Sequence, residues 1–578
     1  MSKNIAEQFV EILVKAGIKR IYAVTGDSLN FLNDAIKREG SIQWIHVRHE
    51  EVGAFAAAAE AELDGLAVCA GSSGPGHVHL INGLYEANRG NVPVLAIAST
   101  CESSEFGTSY FQETNTIKLF DDCSVYNQVA NTPEQAPRML QAALQHAISQ
   151  KGVSVLGVPG DLFEAKSEKN ISSDLVFKTN PRIIPSEEEI NWIANQLNSG
   201  KKVAIYCGIG ASEAHTEVVA LAEKLKAPIG YSFRGKMGIQ YNNPYEVGMT
   251  GLLGLPSAFK AMHEADIVLL LGTDFPYVKF MPTDKVIIQI DDKPERLGRR
   301  AQLTRGFAGK IKDSLINLLP LIKINDNQDF LDKQLGFYQK VKNNLRSYVE
   351  DKGKENHISP EFVAETINQK ANKDTIFTVD TGMCCVWGAR YLEATGERKL
   401  LGSFNHGTMA NAMPMAIGAQ LSHPDKQVIA LCGDGGLSML LGDIATIKQY
   451  NLPIKIIVFN NRSLGMVKLE MEVNGIPDNE TDMVNPDFGL LAQAFGINGI
   501  NVTDPEKVET AIQDALAIDG PVLVNIFTDP NALAMPPKVG WEQMKGMGVA
   551  MTRMMLDGNF KEVADTITSN YKHIKEVL

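Results

Sequence analysis

Residues 427–461, QVIALCGDGGLSMLLGDIATIKQYNLPIKIIVFNN, constrain the fold of this chain more than any other stretch. The run QVIALC is short and apolar, and it stops at Gly433-Asp434-Gly435-Gly436. An apolar segment of about three helical turns follows, then Asn451-Leu452-Pro453 as a breaker. A second β-rich run, IKIIVF, ends at Asn460-Asn461. This order predicts a strand, a helix and a strand, and a crossover of that length makes the two strands parallel. Parallel strands carry Asp434 and Asn461 to one carboxyl edge, where open α/β sheets bind ligands. A carboxylate beside an amide oxygen, with Gly435 and Gly436 letting the backbone approach phosphate, suits Mg²⁺ carrying a diphosphate. Gly-Asp-Gly alone reads as a plain turn; the flanking strands and the terminal Asn pair favour the ligand site.

The same alternation fills most of the 578 residues, enough for about three or four domains with their own cores. In residues 1–180, IYAVTG, IQWIHV, LAVCAG, VPVLAIAS and VSVLGVP read as strands between amphipathic helices, a doubly wound parallel sheet. A polar linker, SEKNISSDLVFKTNPRIIPSEEEI, follows. A second α/β unit spans 183–330, with KVAIYCGIGA, APIGYSF, DIVLLLGTDF and KVIIQID as strands. Residues 324–358 are highly polar and predict helices and a second linker. A third unit, 355–530, holds the opening motif, and 531–578 form a tail. The first and third units read as versions of one parallel α/β fold.

Net charge is −13 with no basic run, which argues against nucleic acid as a partner. No segment reaches the apolar length of a membrane span, and MSKNIAEQFVEILVKAG reads as an amphipathic helix and not a signal peptide. Seven cysteines without a CxxC pair read as reduced thiols of a cytoplasmic protein.

Further motifs fall where strands end. Arg48-His49-Glu50-Glu51 opens an Ala-rich helix, and acids there favour the helix dipole. VTGDSLNFL and GSSGPGHVHLINGL are turn chemistry at two more strand ends. FTVDTGMCCVWGARYL and LLGSFNHGTMANAMPMAIGAQ are strands that break at small residues and lead into helices, the form of a diphosphate cradle. Thr381, Gly407 and Thr408 are their candidates for phosphate and ring contacts. Met409 reads simply as core filler. In the middle unit, Arg234-Gly235-Lys236, Thr250-Gly251-Leu252-Leu253 and Thr273-Asp274-Phe275-Pro276-Tyr277 fit the lining of an extended dinucleotide. Asp291 ends a strand there, where a carboxylate can take ribose hydroxyls. The simpler reading is an α/β spacer.

In combination, VTGDSLN, RHEEV, FQET, RGK, GMTGL, SFNHG, NAMP and GDGG resemble the thiamine-diphosphate- and FAD-dependent pyruvate oxidases, nearest the quinone-reducing pyruvate dehydrogenase branch, over essentially the whole chain. The resemblance implies that Asp434, Asn461 and the Ser463 carbonyl hold Mg²⁺, with Arg462, Leu464, Gly465, Met466 and Val467 along the same cofactor. It implies that Glu50 contacts the aminopyrimidine and that Gly26, Ser73, Gly74 and Asn82 line the cofactor pocket. Met409 becomes the apolar wedge that bends the cofactor, Phe111 and Gln112 a substrate-side loop, and Glu470 a group that polarises substrate. The implied reaction takes pyruvate to CO₂ and acetate, or to acetyl phosphate with phosphate, through an enamine on thiamine diphosphate. FAD passes the electrons to quinone or oxygen. Two departures stand out: Gly309-Lys310 where relatives carry Gly-Asp, and Met466 where they often carry Phe. An acetolactate synthase-type carboligase with redox-silent FAD is the first rival, and a non-catalytic scaffold the second.

The resemblance also implies a homo-oligomer, at least a dimer and commonly a dimer of dimers, with Glu50 reaching a neighbouring chain. In the tail, Phe560, Val563, Ile567, Tyr571, Ile574 and Leu578 make one apolar helical stripe behind a Met-rich segment. It suits docking on the protein itself or peripheral contact with lipid on the inner face of the membrane. Lys561, Lys572 and Lys575 are balanced by Glu562, Asp565 and Glu576, without the basic bias of a strong interfacial helix.

Overall fold

The computed structural model describes residues 3–168, 175–532 and 549–551. The tail stripe from Phe560 to Leu578 lies outside the described residues. Three six-stranded sheets, parallel throughout, organise the chain. The first contains β1 (Arg20–Ala23), β2 (Gln43–His46), β3 (Ala67–Gly71), β4 (Val94–Thr100), β5 (Tyr126–Val129) and β6 (Val153–Pro159), ordered β2-β1-β3-β4-β6-β5. The middle sheet holds β7 (Val203–Cys207), β8 (Ile229–Tyr231), β9 (Glu246–Met249), β10 (Ile267–Leu271), β11 (Val286–Asp291) and β12 (Arg305–Ala308), ordered β12-β11-β10-β7-β8-β9. A hairpin of β13 (Gly353–Lys354) and β14 (His357–Ile358) precedes the third sheet. That sheet holds β15 (Ile376–Val379), β16 (Lys399–Gly402), β17 (Val428–Gly433), β18 (Lys455–Asn460), β19 (Asn498–Val502) and β20 (Val522–Phe527), ordered β16-β15-β17-β18-β20-β19. Counted within each unit, the first and third sheets share one strand order, as two versions of one fold must. Helices cover both faces, so central strands such as β18 are buried along their length.

The Ala-rich helix Glu50–Asp64 packs on the helix Ala412–Ser422 and joins the first and third units in one apolar core. Small residues permit this close approach: a Cβ on Gly418 would fall 2.0 Å from the Ala56 carbonyl oxygen.

Five sheet strands go beyond those read from sequence. Four of them, β5, β9, β12 and β19, lie at sheet edges, where short strands carry mixed polarity and no long apolar run. The fifth, β20, reads VLVNIF and sits inside the sheet. The crossover between β17 and β18 is not one three-turn helix. It is a helix Asp434–Met439, a 3₁₀ turn Leu441–Asp443 and a helix Ile444–Gln449. The break falls at Gly442-Asp443, where Asp443 Oδ1 accepts from the Thr446 hydroxyl at 2.7 Å and the Arg48 N–H at 2.8 Å. Within 324–358 the chain forms a helix, Asp329–Val349, and the β13–β14 hairpin.

Candidate cofactor site

The expected edge exists. β17 and β18 pair in parallel with Gly433 opposite Phe459, so Asp434 and Asn461 leave neighbouring strands side by side. They open on a cleft at the carboxyl ends of β15, β17 and β18. Thr381, Met409, Asp434, Gly435, Gly436, Asn461, Ser463, Leu464, Gly465, Met466 and Val467 all line it, together with Gly382, Met383, Trp387 and Phe459. Asp434 is 2% exposed, and burial pushes its carboxyl up, opposed by hydrogen bonds from Asn485 and the Arg462 backbone. Arg462 has a left-handed backbone, φ 56°, and its N–H donates to Asp434 Oδ2 at 2.8 Å. Its guanidinium points away, to the Asn356 carbonyl at 3.0 Å.

Of the motif's glycines, Gly436 is the most confined: a Cβ there would lie 2.4 Å from Asp380 Oδ2, whereas one on Gly435 would crowd the ends of Leu464 and Met409 at 3.1 Å. Met409 therefore sits against Gly435 in the wall of the cleft. The donor set fits Mg²⁺ and a diphosphate: a carboxylate, an amide oxygen, glycine backbone, and a buried Ser463 Oγ with no hydrogen-bond partner among the described residues. Glu470 lies exposed one turn beyond Met466 on the helix Gly465–Val473.

A second cluster stands on the corresponding edge of the first sheet. Glu50 opens its helix after β2, is 8% exposed, and receives His79 Nδ1 on Oε2 at 2.9 Å. Gly26 packs against Ser72, and the Ser73 hydroxyl donates to Gln112 Oε1 at 2.9 Å. Gly74 and Gln112 both adopt positive φ and press together, and the neighbouring Phe111 is 76% exposed. Asn82 Nδ2 donates to Glu51 Oε1 at 2.7 Å and Thr408 Oγ1 at 3.0 Å, bridging the first and third units. Gly407 precedes Thr408 with φ 77°. Within one chain, Glu50 is not among the residues lining the cleft.

The middle unit disperses its candidates. Lys236 is 2% exposed and donates to the Ala389 carbonyl at 2.5 Å, with burial pulling its amine down to about 8. Arg234 donates to the Gly90 carbonyl at 3.2 Å, and Asp274 pairs with Arg299 and Arg300. Both cations thus tie units together in this conformation. Asp291 is buried at the end of β11, its Oδ1 accepting from the Lys293 N–H at 3.0 Å. Thr250 and Ser212 carry buried hydroxyls without partners among the described residues, which fits a polar ligand along this face. Gly251, φ 114°, presses on Phe275, while Leu252 is exposed, and Pro276 and Thr273 flank the same loop. Leu253 packs against the core of the third unit, and its carbonyl accepts from Arg390 Nε at 3.2 Å. Burial, with smaller contributions from Cys385 and Glu470, pushes the Tyr277 phenol up.

Two polar residues at this edge escape a reading by motif. Asp380 ends the FTVD strand; burial pushes its carboxyl up to about 7, Oδ1 accepts from the Ala412 N–H at 2.9 Å, and Oδ2 has no partner among the described residues. Asn485, in an Asn-Pro-Asp turn, donates to Asp434 Oδ2 at 2.6 Å. All seven cysteines are free and buried, as expected of reduced thiols. Among the described residues, no helix is long and apolar enough to cross a membrane.

Three domain profiles match this chain in sequence: the N-terminal TPP binding domain of thiamine pyrophosphate enzymes over residues 3–119, the central domain over 190–318, and the C-terminal TPP binding domain over 380–526. The chain belongs to the thiamine pyrophosphate enzyme family. It is 34% identical over 579 residues to a putative thiamine pyrophosphate-containing protein, YdaP, of Bacillus subtilis, covering 100% of this chain and 99% of that one. It is 32% identical over 532 residues to a pyruvate oxidase of Lactiplantibacillus plantarum, covering 89% and 87%. A probable acetolactate synthase large subunit of Methanococcus aeolicus is 29% identical over 570 residues, covering 92% and 94%.

Proposed function

We propose that this protein oxidatively decarboxylates pyruvate to CO₂ and acetate, or to acetyl phosphate where phosphate is the acceptor, with electrons leaving through FAD to a quinone or oxygen. Asp434, Asn461 and the Ser463 carbonyl hold Mg²⁺; Gly435, Gly436, Thr381, Gly407 and Thr408 face the diphosphate of thiamine diphosphate. When bound, thiamine diphosphate supplies a carbanion nucleophile and an electron sink, and FAD an acceptor for two electrons. Glu50, from a partner chain, holds and moves the proton on the aminopyrimidine nitrogen. Phe111 and Gln112 of that chain face the substrate, Glu470 polarises it, and Met466 and Val467 keep water out.

One observation carries the redox reading over a plain decarboxylase. One of the middle unit's proposed flavin segments, at Leu253, reaches the helix Met383–Tyr391, whose Met383, Cys384 and Trp387 line the cleft. A flavin held along it is brought to the decarboxylation site. Product analysis tests this. Protein supplied with pyruvate, thiamine diphosphate, Mg²⁺, FAD and a quinone is expected to release CO₂ and acetate in equal amounts. Acetolactate as the main product replaces the oxidase with a carboligase, and no CO₂ at all leaves a scaffold.

A further inference from the structure

Side-chain amides that the proposed chemistry does not use join the carboxyl ends of β17, β18, β20 and β19. Asn485 Nδ2 donates to Asp434 Oδ2 at 2.6 Å and to Asn460 Oδ1 at 2.9 Å. Asn460 Nδ2 donates to Asn525 Oδ1 at 2.9 Å, Asn525 Nδ2 to Asn501 Oδ1 at 2.9 Å, and Asn501 Nδ2 to Asp487 Oδ1 at 2.7 Å. The run is continuous and has an aspartate at each end. Carboxylates only accept, so Asn501 must turn its NH₂ to Asp487 and Asn485 must turn its NH₂ to Asp434. Every amide between them is thereby fixed in orientation.

The ends of this run are also tied in sequence, as Asn485-Pro486-Asp487. Pro486 keeps Asn485 extended. Asp487 caps the helix Phe488–Ala494, accepting from the Leu490 N–H at 2.9 Å. The loop that carries Asn485 is thus anchored on the sheet it reports to. Asn460 and Asn525 are 1% and 0% exposed, positions where an apolar side chain is the ordinary choice. A buried polar network whose members are mutually satisfied rigidifies what it touches, and what this one touches is Asp434.

We propose that Asn485, Asn460, Asn525 and Asn501 are positioning residues that lock the Asp434 carboxylate in the orientation that receives Mg²⁺ carrying thiamine diphosphate. The inference rests on the reading of Asp434 as a metal ligand. Groups that orient a metal ligand typically change metal affinity by about 10- to 100-fold when removed.

The test is a Mg²⁺ titration of the full-length chain, stripped of metal and cofactor, at fixed thiamine diphosphate, read by calorimetry with Tm measured in parallel. Asn485→Ala is expected to raise the half-saturating Mg²⁺ by about 10-fold or more. Asn525→Val, which removes an amide bonded to Asn460 and Asn501 and outside the cleft, is expected to raise it by a smaller factor. The double variant should fall short of the product of the two, because both act through one network. Asn498→Ala, on β19 but bonded to the Pro521 carbonyl at 3.3 Å, should leave Mg²⁺ binding unchanged. Lowered Tm with wild-type Mg²⁺ dependence in Asn485→Ala and Asn525→Val means a structural role only and overturns the proposal. If Asn525→Val does not fold, Asn485→Ala decides alone. A wild-type chain that binds no thiamine diphosphate at any Mg²⁺ concentration overturns the cofactor reading beneath it, a result distinct from an unaffected variant.

Discussion

At the residue scale, the proposed function gives Glu50 and Asp434 separable roles, which substitution distinguishes. Glu50→Gln keeps the shape of the side chain and removes the carboxylate, so thiamine diphosphate should still bind while turnover falls by about 10²- to 10⁴-fold. Asp434→Ala should abolish Mg²⁺-dependent cofactor binding itself, measurable by calorimetry without turnover. Glu86 offers a test in pH. It is 5% exposed, bonded to Ser403 across the first and third units, and burial pushes its carboxyl up from 4.5 to about 7. The folded state therefore holds this proton more tightly than the unfolded chain, and stability falls as pH rises from about 4.5 to about 7. Thermal scans should show wild type losing more Tm between about pH 5 and pH 8 than Glu86→Gln; equal slopes exclude Glu86 as the source. Asp434 and Asn461 were legible in the sequence because two parallel strands and a spacing fix which edge they share. Asp380 and Asn485 were not. Their partners, Ala412 for one and Asp434 for the other, lie 32 and 51 residues away and are set by how the chain closes in space.

At the scale of elements, the pairing of Glu50–Asp64 with Ala412–Ser422 fixes how the first and third units meet. Composition announced half of it: EEVGAFAAAAEAEL is a helix too poor in large side chains to be an ordinary surface element. The partner helix is apolar all round, so no amphipathic face marks its contact. Because a Cβ on Gly418 would overlap the Ala56 carbonyl, Gly418→Ala should destabilise the protein by about 1–3 kcal/mol, the usual cost of overpacking. Differential scanning calorimetry should register this as a lower Tm, and an unchanged Tm would contradict it. Sheet centres were readable from continuous apolar runs. Edge strands such as YNQV and NGINV were not, since half-exposed segments of four or five residues look like loops.

At the scale of the whole molecule, each half of the proposed site lies in a different unit, and one chain leaves Glu50 off the lining of its own cleft. The proposed function therefore has two chains share each site. Glu50→Gln and Asp434→Ala proteins, each inactive alone, should then recover activity when refolded together, to about a quarter of wild-type sites by random pairing of a symmetric dimer. No recovery would place both halves in one chain. The charge, the three sheets and the family were all accessible from the sequence; the routing of Lys236 and Arg234 into contacts between units was not, because RGK reads the same whether its cations meet phosphate or carbonyl oxygen. In the proposed reaction, electrons from pyruvate reach a flavin in the same protein. The most direct test is the absorbance of the flavin-loaded enzyme, with thiamine diphosphate and Mg²⁺, after pyruvate is added in the absence of oxygen and quinone. Bleaching of the oxidised flavin band within the turnover time is the predicted result. A band that stays unchanged while CO₂ is released would contradict it.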